Sequence, residues 1–260
     1  MDKISKIFLV FLLFLKVGNV EVRAVEYLLF DKKFSNADYF ENPQVLPPSL
    51  ENILIINFSP NKFGFSELNK YGIGIIKKIG LLSKESNVGF FISGSNSDLF
   101  SRIKIKIPLS INLNQSFEIG IVNNYQSFAP SGFPRIDSYS FDINGRYKLL
   151  KSTDLAASFD NIYGNNRLFA ETFSGAISWQ NENLFTSFGF NILLNNKTIF
   201  FSSINYQIAE NISLKLAIAN NPTVLNLGIS LGTGDYKIIS DFNYHKILGL
   251  EQNYLGEIEF

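Results

Sequence analysis

Residues 253–260 read NYLGEIEF and end the chain on an alternating strand pattern. The positions on one face are apolar or aromatic: Tyr254, Gly256, Ile258 and Phe260. The positions on the other face are mainly polar: Asn253, Leu255, Glu257 and Glu259. Because successive side chains of a strand point to opposite faces, this stretch predicts a sheet whose two faces meet different surroundings.

The same two-residue alternation extends back to about Asn52. Its clearest instance is residues 103–111, IKIKIPLSI, in which every odd position is apolar. Within this run Pro108 cannot donate to a ladder, so we expect a bulge or a strand end there. The pattern predicts about fourteen strands, an even number typical of single-chain bacterial barrels. They are 53–59, 71–78, 87–96, 102–112, 116–127, 136–149, 154–162, 168–180, 184–194, 198–208, 212–219, 223–231, 236–245 and 251–260.

A soluble β-sandwich is the main structural alternative, because it also alternates and has frequent turns. Three features favour a membrane barrel instead: the predicted strands are long, the last strand is aromatic, and charged residues are scarce. Charged residues make up 18% of the chain, whereas a soluble domain has about 25%. The predicted fold is therefore all-β, a transmembrane antiparallel β-barrel over residues 51–260 with about five residues per connection.

Composition excludes several classes of function. Lys+Arg and Asp+Glu are equal at 23 each, so no net field attracts nucleic acid. The chain has no cysteine, which excludes disulfides, structural zinc–thiolate sites and thiol nucleophiles. Aromatic residues reach 15% and the mean hydropathy is +0.09, as suits a wall that faces lipid on one side.

Residues 1–24 have the pattern of a secretory signal peptide. Lys3 and Lys6 form a positive n-region, Ile7–Leu15 is an unbroken apolar run, and Val22 and Ala24 suit a cleavage site. The alternative is an uncleaved N-terminal anchor, although the apolar run is shorter than the roughly 20 residues that a spanning helix needs. A mature chain in a membrane would therefore form a closed barrel, because lipid offers no partner to an open sheet edge.

Residues 25–50 differ from the rest of the chain and are called the leader. They contain Asn42-Pro43 and Pro47-Pro48, scattered charges and little periodicity. We interpret the leader as a plug or an inward-folded segment, not as a strand.

The last hairpin permits a register prediction. With Lys246–Leu250 as the loop, His245 lies opposite Glu251 and Lys237 lies opposite Glu259. The apolar pairs are then Phe242 with Tyr254, Ile238 with Ile258, and Tyr236 with Phe260. A slip of one residue would mix the two faces, so the pattern disfavours it. Tyr236 and Phe260 would both lie in the aromatic girdle near the periplasmic boundary.

The candidate functional residues are polar positions predicted to face the lumen: Lys237, His245, Glu251, Glu257 and Glu259. The only histidine is His245, and no serine follows it, so pairing or loop anchoring is favoured over catalysis. Glu257 and Glu259 share a face about 7 Å apart. That spacing permits a glycosidase interpretation, but a polar lumen explains it more simply. We predict no catalytic, cofactor-binding or metal-binding residue.

Several short motifs resemble the PorV/PorQ-type outer-membrane proteins, relatives of the FadL long-chain fatty-acid transporters. The motifs are Asn221-Pro222-Thr223, Gly228, Tyr244-His245, Leu248-Gly249-Leu250, and the final Phe260. Near the start, Asn42-Pro43 resembles the plug motif of that group, with Gln44 in place of its alanine, and Phe63-Gly64-Phe65 with Leu68 resembles the segment after it. The C-terminal set Tyr254, Ile258 and Phe260 resembles the signal read by the barrel assembly machinery.

The resemblance implies a fourteen-stranded barrel with an N-terminal plug in the bacterial outer membrane. It also implies either uptake of small hydrophobic compounds or a role in secretion and surface assembly, without catalysis. The alternative is a scaffold that binds a secreted protein partner, and an outer-membrane enzyme is the third possibility. Only about Ser127–Arg135 is predicted to form a connection long enough for an elaborate loop, which weakens the scaffold interpretation.

Overall fold

The computed structural model describes residues 52–60, 69–81, 84–162, 171–193, 197–220, 223–246 and 249–260. The predicted signal peptide, the leader with its Asn42-Pro43 motif, and the segment from Phe63 to Leu68 lie outside these residues. The described residues contain no helix that is long and apolar enough to cross a membrane.

Fourteen antiparallel strands form one closed barrel in which every strand pairs with its neighbours in sequence, so the predicted fold class is confirmed. The strands are β1 Asn52–Ser59, β2 Asn69–Leu81, β3 Lys84–Asn96, β4 Phe100–Asn112, β5 Phe117–Pro130, β6 Ile136–Leu150, β7 Thr153–Asp160, β8 Thr172–Gln180, β9 Leu184–Leu193, β10 Lys197–Ala209, β11 Ile212–Ala219, β12 Val224–Thr233, β13 Tyr236–His245 and β14 Gly249–Glu259.

The barrel closes where β1 pairs with β14. Leu54 lies opposite Ile258, and the Phe260 N–H donates to the Asn52 carbonyl over 3.1 Å. The Asn52 side-chain amide donates to the Phe260 carbonyl over 3.0 Å. Because these contacts pair the first strand with the last, neither strand leaves an open edge to lipid.

The lengths of the connections orient the barrel in the membrane. β1 begins and β14 ends at the same end of the barrel, and the connections at that end include the two-residue turns Glu210-Asn211 and Gly234-Asp235. The opposite end carries the longer connections 60–68 and 161–171. Outer-membrane barrels have short periplasmic turns and longer extracellular loops, so the end with the termini is the periplasmic end. The opposite end is called the outer end.

The two faces of the wall differ in chemistry, as β11 shows. Leu214, Leu216 and Ile218 point outwards and are 42%, 45% and 51% exposed. The alternate residues Ser213 and Lys215 are buried on the inward face. An apolar exterior over a polar interior reverses the pattern of a soluble protein and matches a wall in contact with lipid.

The apolar outer surface of the wall is called the apolar belt, and exposed aromatic side chains lie at both of its borders. Those at the periplasmic end are Tyr147, Trp179, Tyr206, Tyr236 and Phe260. Those towards the outer end are Tyr71, Tyr139, Phe159 and Tyr244. Such girdles mark the two membrane–water interfaces, where amphipathic rings are most stable.

The predicted register of the last hairpin is wrong by two residues. His245 lies opposite Gly249 and not Glu251, and Lys237 lies opposite Glu257 and not Glu259. Tyr236 consequently pairs with Ile258, while Phe260 bonds to the start of β1. A shift of two residues leaves every side chain on its predicted face, so alternation alone could not distinguish the two registers. The loop between the strands is shorter than predicted, at 246–248.

The predicted bulge or strand end at Pro108 is also wrong. β4 continues through Pro108, which pairs with Val122 of β5. Towards β3 the pairing stops after Val88–Leu109 and resumes at Phe91–Lys106 in the same register. Because proline has no N–H, its effect is this local gap in the β3–β4 ladder.

Several predicted strand ends shift, and three of these shifts change the position of the longest connections. β5 runs to Pro130, which shortens the predicted Ser127–Arg135 connection to residues 131–135. β7 ends at Asp160 and β8 begins at Thr172, so 161–171 is longer. Asn161 has a φ of +56°, a left-handed conformation that asparagine tolerates better than most residues.

Candidate functional site in the barrel lumen

Small polar side chains cover much of the inward face. Those buried on this face include Ser59, Ser93, Ser110, Asn144, Ser158, Ser174, Ser187, Asn191, Ser203, Asn205, Asn226 and Ser230. Several of them bond across strands: the hydroxyls of Ser187 and Ser203 are 2.6 Å apart, and the Asn226 amide donates to Asn243 over 2.6 Å. Because these side chains are short, they leave the centre of the barrel to longer side chains or to a ligand.

Three basic residues occupy successive inward positions of β4: Arg102, Lys104 and Lys106. We call them the β4 cationic strip. Arg102 donates to the Gln126 side chain over 2.7 Å, and Lys106 is only 1% exposed. β4 runs from the outer end to the periplasmic end, so the strip extends from near the outer end to the middle of the lumen.

Other charged residues of the inward face form ion pairs between strands. Arg146 of β6 lies 3.2 Å from Glu118 of β5. Lys215 of β11 lies 3.9 Å from Asp241 of β13, although these strands are separated by β12. The residue between them in the ladder is Gly228. Because glycine has no side chain, the lysine passes over it to reach the carboxylate.

The Lys215–Asp241 contact yields a prediction about stability. Lys215→Met should lower the free energy of unfolding by about 1–2 kcal/mol, less than the 3–5 for a fully buried pair. The expected loss of stability is smaller because the Asp241 side chain is 22% exposed. Adding Asp241→Asn should restore part of the lost stability, because it replaces the unpaired carboxylate by a neutral amide. Denaturant unfolding in detergent micelles measures both changes, and equal loss in the single and double variants would contradict the coupling.

A hydrogen-bonded group joins the outer halves of β5, β6 and β7. Asp142 accepts from the Asn124 side chain and from the Asn161 backbone N–H, each over 2.8 Å. The Ser140 hydroxyl donates to the Asn161 side chain over 3.1 Å. The start of the 161–171 connection is therefore tied to the inner wall.

Two apolar clusters interrupt the polar lumen. The outer apolar cluster comprises Leu193, Ile199, Phe201, Ala217, Ala219 and Val224 on β9–β12, towards the outer end. The periplasmic apolar cluster comprises Ile53, Ile55, Ile76 and Phe91 on β1–β3, with Leu255 packed against it. The two clusters thus lie on different walls and at different heights.

A cavity of about 590 Å³ opens at the periplasmic end. Its lining residues come from β10–β14: Gln207, Glu210, Asn211, Ser213, Ser230, Gly232, Thr233, Gly234, Asp235, Tyr236, Lys237, Glu257 and Glu259. Four of them are acidic, namely Glu210, Asp235, Glu257 and Glu259, and are called the acidic mouth. Glu257 is 2% exposed, and the nearby Lys237 ammonium lies 3.9 Å from its carboxylate.

The five lumen candidates from the sequence fall into two separate groups. Lys237, Glu257 and Glu259 line the cavity at the periplasmic end. His245 and Glu251 are buried near the outer end, about 26 Å away along the strands. His245 pairs with Val224 of the outer apolar cluster, and Glu251 accepts a 3.5 Å hydrogen bond from the Ser59 hydroxyl.

Both apolar clusters were missed by the sequence reasoning. A signal existed in β10, where Ile199, Phe200 and Phe201 are consecutive, so both faces of that strand are apolar. The described residues contain no group of histidine, cysteine and carboxylate side chains that could hold a metal ion.

One charged contact lies outside the lumen, in the 131–135 connection. Arg135 donates to Asp137 over 2.9 Å and to the Tyr125 hydroxyl over 2.6 Å. The hydrogen bond to the Asp137 carboxylate raises the pKa of Arg135 above its ordinary value. The charged guanidinium joins the connection to β5 through the Tyr125 hydroxyl.

The closed barrel, the apolar belt between two aromatic girdles and the polar interior define a transmembrane β-barrel of the bacterial outer membrane. No protein-family model matches the sequence, and no curated protein matches it.

Solved structures resemble the barrel at low sequence identity. The Ralstonia pickettii toluene transporter TbuX is 10% identical with a TM-score of 0.65, covering 87% of this chain and 94% of its own. The Pseudomonas putida toluene transporter TodX is 10% identical with a TM-score of 0.57, covering 86% and 92%. The Acinetobacter baumannii outer membrane protein Omp33 is 9% identical with a TM-score of 0.54, covering 81% and 98%. At such identities the likeness establishes the fold alone.

Proposed function

We propose that this barrel is a passive outer-membrane channel for small hydrophobic compounds and that the leader, residues 25–50, plugs its lumen. The observation that supports the proposal is the pair of inward-facing apolar clusters. The water-filled lumen of a porin is polar, whereas an apolar solute gains free energy from apolar wall contacts.

The positions of the clusters suit a route through the barrel. The outer apolar cluster lies near the outer end, where a hydrophobic compound would first enter. The periplasmic apolar cluster lies nearer the periplasmic end. Around the barrel, strands β13 and β14 separate it from the outer apolar cluster. Two sites of moderate affinity allow a solute both to bind and to leave, which a single tight site would hinder.

The inward isoleucines give the leader an apolar surface to pack against. Ile53, Ile55 and Ile76 are at most 2% exposed, although they face the lumen. In an open, water-filled lumen such side chains would contact water, at a cost of about 25 cal/mol per Å² of apolar surface. The leader contains the apolar run Tyr27–Phe30 and the pair Val45-Leu46, which could cover them.

The similar structures support the same class of solute, because two of them are described as toluene transporters. The sequence resemblance to FadL-related proteins points the same way. The PorV/PorQ-type assignment and the secreted-protein partner remain predictions from short motifs. We do not propose the scaffold function, because two of the similar structures are described as transporters and no observation on the described residues points to a protein partner.

Toluene uptake by cells that express the barrel in a strain without other such channels tests the proposal, because plain lipid vesicles take up an apolar solute without any channel. Phe201→Ser removes the largest ring of the outer apolar cluster and should slow uptake about tenfold, the effect of losing about 1.4 kcal/mol of contact. The matched control is Phe200→Ser, which makes the same change on the adjacent, outward-facing residue. It should leave uptake unchanged. Uptake no faster in cells with the wild-type barrel than in cells without it would reject the channel, and equal slowing in both variants would reject the role of the cluster.

A further inference from the structure

Among the described residues, each apolar cluster of the lumen contains one aromatic ring, and each ring lies over a glycine. Phe201 of β10 is the ring of the outer apolar cluster and lies directly opposite Gly189 of β9. Phe91 of β3 is the ring of the periplasmic apolar cluster, and its tip lies over Gly72 of β2. We call Gly189 and Gly72 the seats of these rings.

The contacts at the seats are too close for any residue with a Cβ. A Cβ at Gly72 would lie 2.7 Å from Cζ of Phe91, and a Cβ at Gly189 would lie 2.7 Å from Cε2 of Phe201. Nonbonded contacts of real Cβ atoms are essentially never shorter than 3.0 Å. A side chain at either seat would therefore have to displace the ring tip from its place.

The seated rings run along the wall and not towards the barrel axis, because each ring tip rests on the neighbouring strand. At the outer seat a small residue extends this flat surface: Ala176 of β8 lies opposite Gly189 and packs against the outer apolar cluster. Rings in this position leave the centre of the lumen to a solute at both heights.

We propose that the two seats set the width of the solutes that the barrel admits, because they hold Phe201 and Phe91 against the wall. Gly189 and Gly72 are thus positioning residues that act through the rings. The inference rests on the proposed channel and adds the residues that select among apolar solutes by size.

A similar contact on the lipid face provides a contrast. Gly94 of β3 lies directly opposite Tyr71 of β2, whose side chain is on the outer surface. A Cβ at Gly94 would lie 2.9 Å from the Tyr71 hydroxyl oxygen. Adding a methyl group there crowds an aromatic ring about as much as at Gly72, but the displaced ring lies outside the lumen.

Relative uptake of two apolar probes tests the seats, in cells that express the barrel in a strain without other such channels. The probes are toluene and the wider 1,3,5-trimethylbenzene. Gly72→Ala should lower the trimethylbenzene-to-toluene uptake ratio about tenfold, equivalent to about 1.4 kcal/mol, because the wider solute must press the displaced ring against the new methyl group. The amount of folded barrel affects both probes equally, so a loss of stability alone would not change the ratio.

Gly72 is the seat to substitute, because a Cβ at Gly189 would also lie 2.5 Å from the Gly175 carbonyl oxygen. Phe91→Leu removes the ring and should raise the uptake ratio. Combining Gly72→Ala with Phe91→Leu should restore the ratio at least to its wild-type value, since no ring remains to be displaced.

Two matched controls carry the same substitution at other glycines. Gly80→Ala adds a methyl group eight positions along β2, on the same face as Gly72, where nothing lies within 4 Å. Gly94→Ala crowds the Tyr71 ring on the lipid face. Both controls should leave the uptake ratio unchanged.

The outcomes separate the seats from the channel. Barrel-dependent toluene uptake with the same ratio in the wild type, Gly72→Ala and Phe91→Leu would overturn the role of the seats and leave the channel intact. A ratio lowered as much by Gly94→Ala as by Gly72→Ala would also overturn that role, because the effect would then arise from crowding in the wall. Absence of barrel-dependent toluene uptake would overturn both.

Discussion

Leu216→Arg should destabilise the folded barrel by about 2–4 kcal/mol, the cost of an arginine on a barrel's lipid face at the bilayer midplane. Leu216 is in the middle of β11, is 45% exposed, and lies between Ile204 and Leu227 on the neighbouring strands. The residues directly opposite it on both sides are aliphatic, so a guanidinium there gains no ion pair from them. In a soluble protein the same exposed position would accept arginine at almost no cost.

The matched control is the same substitution near the interface. Leu231 is 48% exposed on the same lipid face, and it lies close to the periplasmic turn Gly234-Asp235. Leu231→Arg should cost about 0–1 kcal/mol, because the side chain can reach water. Both values follow from denaturant unfolding in lipid vesicles, with the folded fraction read from the mobility of unboiled samples on a gel. Equal costs at the two depths would contradict the membrane orientation of the wall.

Gly189→Ala should cost about 1–3 kcal/mol, the range for overpacking a well-packed site. Gly189 points into the lumen beneath the Phe201 ring, and an added Cβ would also lie 2.5 Å from the Gly175 carbonyl oxygen. Because that oxygen belongs to the backbone of a neighbouring strand, no side-chain rotation can relieve the contact, and the expected loss is towards the upper limit.

The cost of the same substitution at two other glycines provides a comparison. At Gly72 a Cβ would meet the Phe91 ring tip at 2.7 Å, and because a side chain can shift where a backbone carbonyl cannot, Gly72→Ala should cost less. At Gly256 nothing lies within 4 Å, and alanine should be neutral or stabilising by up to about 1 kcal/mol, because glycine weakens strands. Unfolding in detergent should therefore rank the losses as Gly189, Gly72 and Gly256, and a loss at Gly256 as large as that at Gly189 would contradict the packing argument.

The last hairpin shows how far alternation can determine a fold. Alternation assigned Phe242 and Tyr254 to one face and Lys237 and Glu257 to the other, and the structure keeps these faces. It could not determine the register, because shifts by an even number of residues preserve the faces. The short 246–248 loop and the pairing of β14 with β1 select the observed one.

The candidate site was less accessible to sequence reasoning than the fold. The outer apolar cluster joins Leu193 to Val224 across four strands, and Lys215 reaches Asp241 only because Gly228 lies between them. Each of these contacts depends on the relative stagger of strands, which local patterns do not encode.

Alternation, aromatic borders and a balanced low charge were sufficient to define a lipid-facing β-barrel, because these properties act one strand at a time. The closing register, the two apolar clusters and the separation of the acidic mouth from the β4 cationic strip arise only in the tertiary structure. They bring together residues as distant as Ile53 and Glu259, whose proximity follows from closure of the barrel and from no local preference of the chain.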